Sequence, residues 1–322
     1  MSEYVLASYR SGIVSNNEEE MNYYLKYIHR SVSVISYCTE SGILALNKNI
    51  GILSHPNLNS NNNDNNKSLF INCKYDHINE AYHIPIIISD NNNIETQPLY
   101  LLHRLDKATS GVILLCDQIA YVKIIKDMLK HRHNISKTYY ALSFYNTTIH
   151  KISINSNMVW EDSLSKHNNT TTVRVTSNSH NTNKSNVAIT KVELIKLSSS
   201  PISSSFKNIK LCLLKLTPIT GYTHQLRYQC ALHALPVVGD DVYGDFILNK
   251  EFNKHSMKAF TSVDNHGSHK SSVSSIYKRL YLHAYSYALS ISQIDSDSSN
   301  SSCAKHLYEA SLPKEFTDIM TR

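Results

Sequence analysis

The chain has 322 residues, 41% of them hydrophobic and 18% charged, and the apolar residues are clustered enough to support a sizeable core. Formal net charge is +6 with histidine neutral, which suits a polyanionic partner without identifying one. No apolar run approaches the roughly 20 residues of a membrane-crossing helix. The six cysteines form no Cys-x-x-Cys pair, so a reducing compartment without disulfides is expected.

Residues 1–40 form an N-terminal extension with no legible role. Glu18-Glu19-Glu20 is unlike the acid-poor presequences of organelles, and no signal peptide is visible, so cytoplasm or nucleus is the expected location. Residues 23–28 read as the start of a short helix, and 31–37 alternate as an edge strand. Residues 42–48 read as a buried strand ending in a polar turn at Asn47-Lys48, followed by Gly51-Ile52-Leu53-Ser54-His55-Pro56. Tracts of Asn, Ser and Asp near 57–68, 165–186, 198–205, 253–275 and 295–302 cannot bury enough apolar surface to offset their ordering entropy. They are expected to be surface-loop insertions in one compact domain over 41–322.

The most informative stretch is 102–115, Leu-His-Arg-Leu-Asp-Lys-Ala-Thr-Ser-Gly-Val-Ile-Leu-Leu. Turn residues feeding an apolar run predict a loop entering a buried strand, with Asp106 at its mouth. A carboxylate there needs a partner, because an isolated charge beside an apolar core is expensive. Residues 118–131 set Ile119, Val122, Ile125, Met128 and Leu129 at helical spacing. The opposite face carries Lys123, Lys126, Lys130, His131 and Arg132. Lys137-Thr138-Tyr139-Tyr140-Ala141-Leu142 opens a strand that turns Tyr139 and Tyr140 to opposite faces. Residues 187–197 and 209–217 alternate as half-buried strands and are expected to pair across the Ser-rich linker. After Thr217-Pro218-Ile219-Thr220-Gly221-Tyr222, a helix is predicted from Thr223, its candidate N-cap, to about Leu235.

Several of these stretches, in this order, resemble the motifs of the RluA-type pseudouridine synthases, which isomerise uridine to pseudouridine within RNA. Their catalytic loop reads His-Arg-Leu-Asp, two variable residues, Thr-Ser-Gly and a hydrophobic strand, matched by His103-Arg104-Leu105-Asp106 and Thr109-Ser110-Gly111. Seven fixed positions of mixed chemistry make a specific signal. Lys137, Tyr139 and Ala141 match Lys-x-Tyr-x-Ala. Residues 218–227 resemble Pro-x-Thr-Gly-Arg-Thr-His-Gln-Ile-Arg, and Pro236-Val237-Val238-Gly239-Asp240 with Tyr243-Gly244 resembles the segment that follows it. Leu282-His283-Ala284 and Leu312-Pro313 with Phe316 resemble the closing strand and terminal segment. The likeness runs from about residue 42 to the end. Three departures stand out: Asn49 for the usual Pro, Tyr222 for Arg, and Gln229 where many relatives have His.

The resemblance implies an α/β (α+β) fold, a mixed and mostly antiparallel sheet with flanking helices and a central RNA-binding cleft. It implies chemistry without metal, nucleotide or other cofactor, by a monomer whose partner is tRNA or rRNA. Asp106 is then the nucleophile or base, Arg227 the guanidinium pairing with it, and Tyr139 the ring stacked on the flipped uracil and the candidate proton acceptor. Arg104 occupies the space that the base vacates, and His103, Thr109, Lys137, His224 and Gln225 are further candidates for RNA contact. Two other classes compete: a non-catalytic RNA-binding relative acting as a chaperone, and a glycosidase pairing Asp106 with Asp240 or Asp241. A metal site built on His224, Cys230 and His233 lacks further ligands at suitable spacing.

Overall fold

The computed structural model describes residues 24–57, 67–87, 94–166, 173–174, 186–261, 279–292 and 303–321. Most of the polar tracts at 57–68 and 165–186, residues 262–275 and the tract at 295–302 lie outside them. The chain divides into two compact units, Met1–Ile135 with Ser286–Ala310, and Ser136–Tyr285 with Ser311–Arg322.

The first unit is built on β6 (Ser110–Cys116), whose seven residues are all buried. Such a run, apolar on both faces, has to be covered on both sides. Strand β2 (Ile43–Lys48) pairs with it antiparallel, Ile43 opposite Cys116 and Lys48 opposite Gly111, and β1 (Val32–Cys38) pairs with β2. Outward from the end of β6 run β5 (Ile94–Leu101), β4 (Ala81–Ile87) and β3 (Lys74–Asp76), all antiparallel. Residues 286–292 of β12 (Leu282–Ser292) pair with β13 (Cys303–Glu309). Helix α1 (Ile119–His131) lays Val122, Ile125 and Met128 onto Val112, Leu114 and Cys116, as its spacing predicts. It ends at Arg132 in the left-handed conformation, with Lys130 and His131 in the last turn, where cations oppose the helix dipole favourably. The described part of the N-terminal extension belongs to this unit: the Tyr24 and Tyr37 hydroxyls both donate to Asp117, at 2.7 and 2.8 Å.

The second unit orders its strands β7 (Ile135–Asn146, from Ser136), β11 (Ile209–Pro218), β10 (Asn186–Pro201), β8 (Asn157–Lys166) and β9 (Val173–Arg174), again antiparallel. The expected pairing of 187–197 with 209–217 is present, Leu194 opposite Leu214. Helix α2 (Gln225–Leu232) packs Leu226 and Cys230 on Leu214, Leu216 and Ala141. Helices α3 (Phe246–Thr261) and α4 (Lys314–Met320) complete the unit.

Two expected loops are corrected. Ser198 to Pro201 continue β10: the buried Ser198 hydroxyl accepts the Leu211 N–H at 3.0 Å and donates to the Ser200 carbonyl at 2.7 Å. A Ser-rich stretch thus stays in the ladder because its hydroxyl satisfies backbone groups. Residues 253–261 belong to α3. The Asp245 carboxylate accepts the Leu248 N–H at 2.9 Å near the start of this helix, and one aromatic anchor, Phe252, packs edge-on against Phe144 and Tyr281. Phe252→Ala removes that anchor; a loss of about 3–5 kcal/mol is expected, read as a lower urea midpoint with α3 helicity reduced by circular dichroism.

Candidate active site

Within the first unit, Asp106 stands half-buried in the irregular segment between β5 and β6. Its carbonyl accepts the Thr109 N–H at 3.0 Å, closing the turn that enters β6. Leu105, one residue before it, is held on both its backbone groups by one side chain: Ser54 Oγ donates to the Leu105 carbonyl at 2.8 Å and accepts its N–H at 3.0 Å. Lys48, at the end of β2 and fully buried, donates Nζ to the carbonyls of Asn49 and Ile52 at 3.1 and 3.0 Å. A longer bond of 3.4 Å reaches the carbonyl of Lys107, next to the aspartate. Gly51 N–H donates to the same Lys107 carbonyl at 2.8 Å. Residues at the end of β2 and in the segment just after it therefore grip both neighbours of Asp106.

The RNA-contact candidates of this loop divide. Arg104 is exposed, and among the described residues no hydrogen bond or ion pair engages it. Thr109 is buried and serves the turn. His103 accepts the Leu114 N–H on Nε2 at 3.1 Å, so that nitrogen carries no proton and the ring is the Nδ1–H tautomer. Its face stacks on Tyr287, centroids 4.3 Å apart. Those two contacts position the loop on β6.

Within the second unit, Arg227 on α2 is buried and forms a bidentate ion pair with Asp240, Nε to Oδ2 at 2.7 Å and Nη2 to Oδ1 at 2.8 Å. Two of its five N–H groups are committed to Asp240. Asp240 Oδ1 also accepts the N–H groups of Val242 and Tyr243, both at 2.9 Å. Burial pushes the Asp240 carboxyl up, but the bonds from Arg227, Tyr243 and Val242 outweigh it and hold the group below its ordinary value. A carboxylate held ionised this way is unsuited to be a glycosidase's proton donor. The Tyr243 ring lies under the guanidinium, 5.4 Å from its carbon to the centroid.

The predicted cap of α2 is displaced. His224, not Thr223, occupies the N-cap position, with φ 56° and no side-chain cap bond. Its Nδ1 lies 3.2 Å from the Tyr243 hydroxyl. Gln225, a candidate for RNA contact, is buried: its carbonyl oxygen accepts from Thr220 Oγ1 at 2.7 Å and from the Tyr222 N–H at 3.1 Å, and its amide donates to Thr190 at 2.9 Å. It braces the loop before α2. Lys137 is half-exposed, its ammonium beside Gly221 of that loop. Tyr139 is half-exposed on β7 with one side against the core, while Tyr140 meets Tyr285 edge-on. The three metal candidates point to separate partners. His233 stacks on Trp160 at 4.3 Å and sits 3.2 Å from Asp162, and Cys230 is core, burial pushing its thiol up.

A sequence profile described as RNA pseudouridylate synthase matches residues 42–232, more than half of the chain, and the chain belongs to that family. Among relatives, a ribosomal large subunit pseudouridine synthase C of Rickettsia felis is 32% identical over 165 residues, 51% of this chain and 47% of that protein. A ribosomal large subunit pseudouridine synthase D of Borreliella burgdorferi is 30% identical over 64% of this chain and 53% of its own length. A tRNA pseudouridine synthase C of Vibrio cholerae is 29% identical over 49% and 61%. The chain thus spans about half the length of the first curated relatives it matches. The solved structure of human RNA Pseudouridylate Synthase Domain Containing 4 superposes with a TM-score of 0.51 at 18% identity, covering 91% of each chain, a likeness of fold.

Replacing Asp240 by Asn breaks the buried bidentate ion pair with Arg227, a loss of roughly 3–5 kcal/mol. Because the folded carboxyl is depressed, the pair's contribution is complete above the ordinary carboxylate range and is lost as pH falls through the lowered folded value. Melting temperatures measured across acidic pH are expected to drop steeply in the wild type, with that component missing from Asp240→Asn.

Proposed function

We propose that this protein is an RNA pseudouridine synthase that isomerises a uridine of tRNA or rRNA, with Asp106 as the acting carboxylate. The observation that carries this reading is the half-buried Asp106 in a loop matching seven fixed motif positions and gripped at both neighbours by Ser54 and Lys48. The reaction breaks the N1–C1′ bond of uridine, turns the uracil, joins C5 to C1′, and moves one proton from C5 to N1. Atoms balance without an oxidant, reductant or water.

The target base must leave its stack at a cost of a few kcal/mol, and Arg104, exposed two residues before the aspartate, is suited to the gap left behind. Asp106 acts on the sugar, as nucleophile at C1′ or as base at the neighbouring carbon. Tyr139 offers a half-exposed ring for the everted uracil and a hydroxyl for the C5 proton. Arg227 supplies the motif guanidinium, and Asp240 fixes its orientation. Lys137 and the exposed lysines of α1 suit sequence-independent phosphate contact.

Incubation with total RNA followed by pseudouridine mapping is expected to show product with the wild type. With Asp106→Ala the rate is expected to fall by a factor on the order of 10⁴, with RNA affinity retained. Wild-type binding without product would favour the non-catalytic chaperone class, and release of free uracil the glycosidase.

A further inference from the structure

Beside the aspartate loop, in the same unit, stands a group of rings that the reaction does not use. His55 and Tyr75 are stacked nearly parallel, centroids 5.2 Å apart and planes inclined by 12°. His77 meets both edge-on, at 5.8 Å from His55 and 4.9 Å from Tyr75. All three are half-exposed. Behind them, Tyr75 rests on the fully buried Tyr82 at 4.8 Å, and Tyr82 on Phe70 at the same distance.

The group is pinned to the loop by bonds already described. Ser54, which holds both backbone groups of Leu105, is the residue before His55, and its carbonyl accepts the Tyr82 hydroxyl at 2.9 Å. Leu105 lies between Arg104 and Asp106. The hairpin carrying Tyr75 and His77 is stiffened by Asp76, which accepts the Ile78 and Asn79 N–H groups at 2.8 and 3.1 Å and the Asn79 side-chain amide at 2.6 Å. Ile78, 92% exposed, stands at its tip. Burial, and the charges of Arg104 and His77, hold the His55 imidazole below its ordinary value against the bond to the Pro56 carbonyl. Burial raises Tyr75 to about 12. Both rings are therefore uncharged at neutral pH and offer flat π faces rather than a cation for phosphate. Unpaired RNA bases splayed from a helix are bound on such faces.

We propose that His55, Tyr75 and His77 form a stacking shelf for an unpaired nucleobase flanking the target uridine, with Arg104 alongside. This rests on the RNA pseudouridine synthase reading and adds to it a recognition site for a neighbouring nucleotide. A single-stranded oligouridylate is the probe, intact or with one abasic position moved along it, and affinity is read by fluorescence anisotropy. Stacking on an aromatic ring implies that the wild type binds one abasic strand roughly 5- to 100-fold more weakly than the intact one, while phosphates are unchanged.

His55→Ala with His77→Ala is expected to abolish that difference, and His55→Phe with His77→Phe to restore it. Should the alanine pair fail to fold, His77→Ala alone, in a hairpin already closed by Asp76, is expected to reduce it. Equal wild-type affinity for intact and abasic strands, no binding of the strand, or an undiminished difference in the folded alanine variants overturns the shelf. Pseudouridine formation on total RNA is scored separately. Product without base-dependent binding sinks the shelf alone, and base-dependent binding lost in the variants without product sinks the catalytic reading alone.

Discussion

The pair of hydrogen bonds between the Ser54 hydroxyl and the two backbone groups of Leu105 is the constraint on which the geometry of the Asp106 loop depends. Each such bond contributes about 1 kcal/mol net, which is little for stability and much for geometry. A loop entering a buried strand has two soft dihedrals per residue, and a carboxylate at its tip would sample many positions. Fixing the residue before it by both donor and acceptor removes most of that freedom, and the Lys48 ammonium and Gly51 N–H act on the carbonyl of the residue after it. The aspartate is thus oriented by the backbone of both its neighbours. A buried ammonium is costly unless its donors are satisfied. That Lys48 stays fully buried beside three carbonyls follows from the second task it performs, tying the end of β2 to the loop.

The second unit solves the corresponding problem for a cation by different means. Helix α2 has eight residues, no side-chain cap bond and no acidic residue in its first turn, so propensity alone would not hold it. Its place is set by what its buried polar side chains touch. Arg227 grips Asp240, whose other bonds close the turn before Tyr243. Gln225 links the incoming loop to β10. Removing water from an ion pair costs several kcal/mol per ion, and only good geometry with every lone pair occupied offsets it. The bidentate fork and the two backbone donors to Asp240 supply such geometry, so the guanidinium is held in one orientation by the fold itself.

How much of this was legible follows from the range over which each signal acts. Strands β2, β6, β10 and β11 and helix α1 show local periodicity that their burial matches, and the loop of Asp106 is marked by its own turn residues and motif. What the sequence hid was non-local. Nothing around Ser54 announces that its partner is Leu105, 51 residues on, and nothing around Asp240 announces Arg227. Composition also misled where a polar residue satisfies a backbone group, as Ser198 does for Leu211, or where apolar anchors outside a polar tract hold it in a helix, as Phe252 and Leu248 do in α3. Thr109 and Gln225 are motif residues whose burial gives them bracing tasks, a distinction that motif position alone cannot make.

The departures from the family motifs are absorbed by the same buried contacts. At position 229 the glutamine accepts from Thr190 Oγ1 at 2.6 Å and donates to Asp162 at 2.7 Å and to the Ala188 carbonyl at 3.2 Å. A neutral imidazole has one donor and one acceptor and could not fill all three places, so the amide fits the surroundings this chain has built. At position 222, where the family motif has an arginine, the tyrosine packs with Tyr228 against Ala188 of β10. The loop is not left without a cation, since the Lys137 ammonium lies beside Gly221. A lysine there supplies a point charge without the planar fork of an arginine.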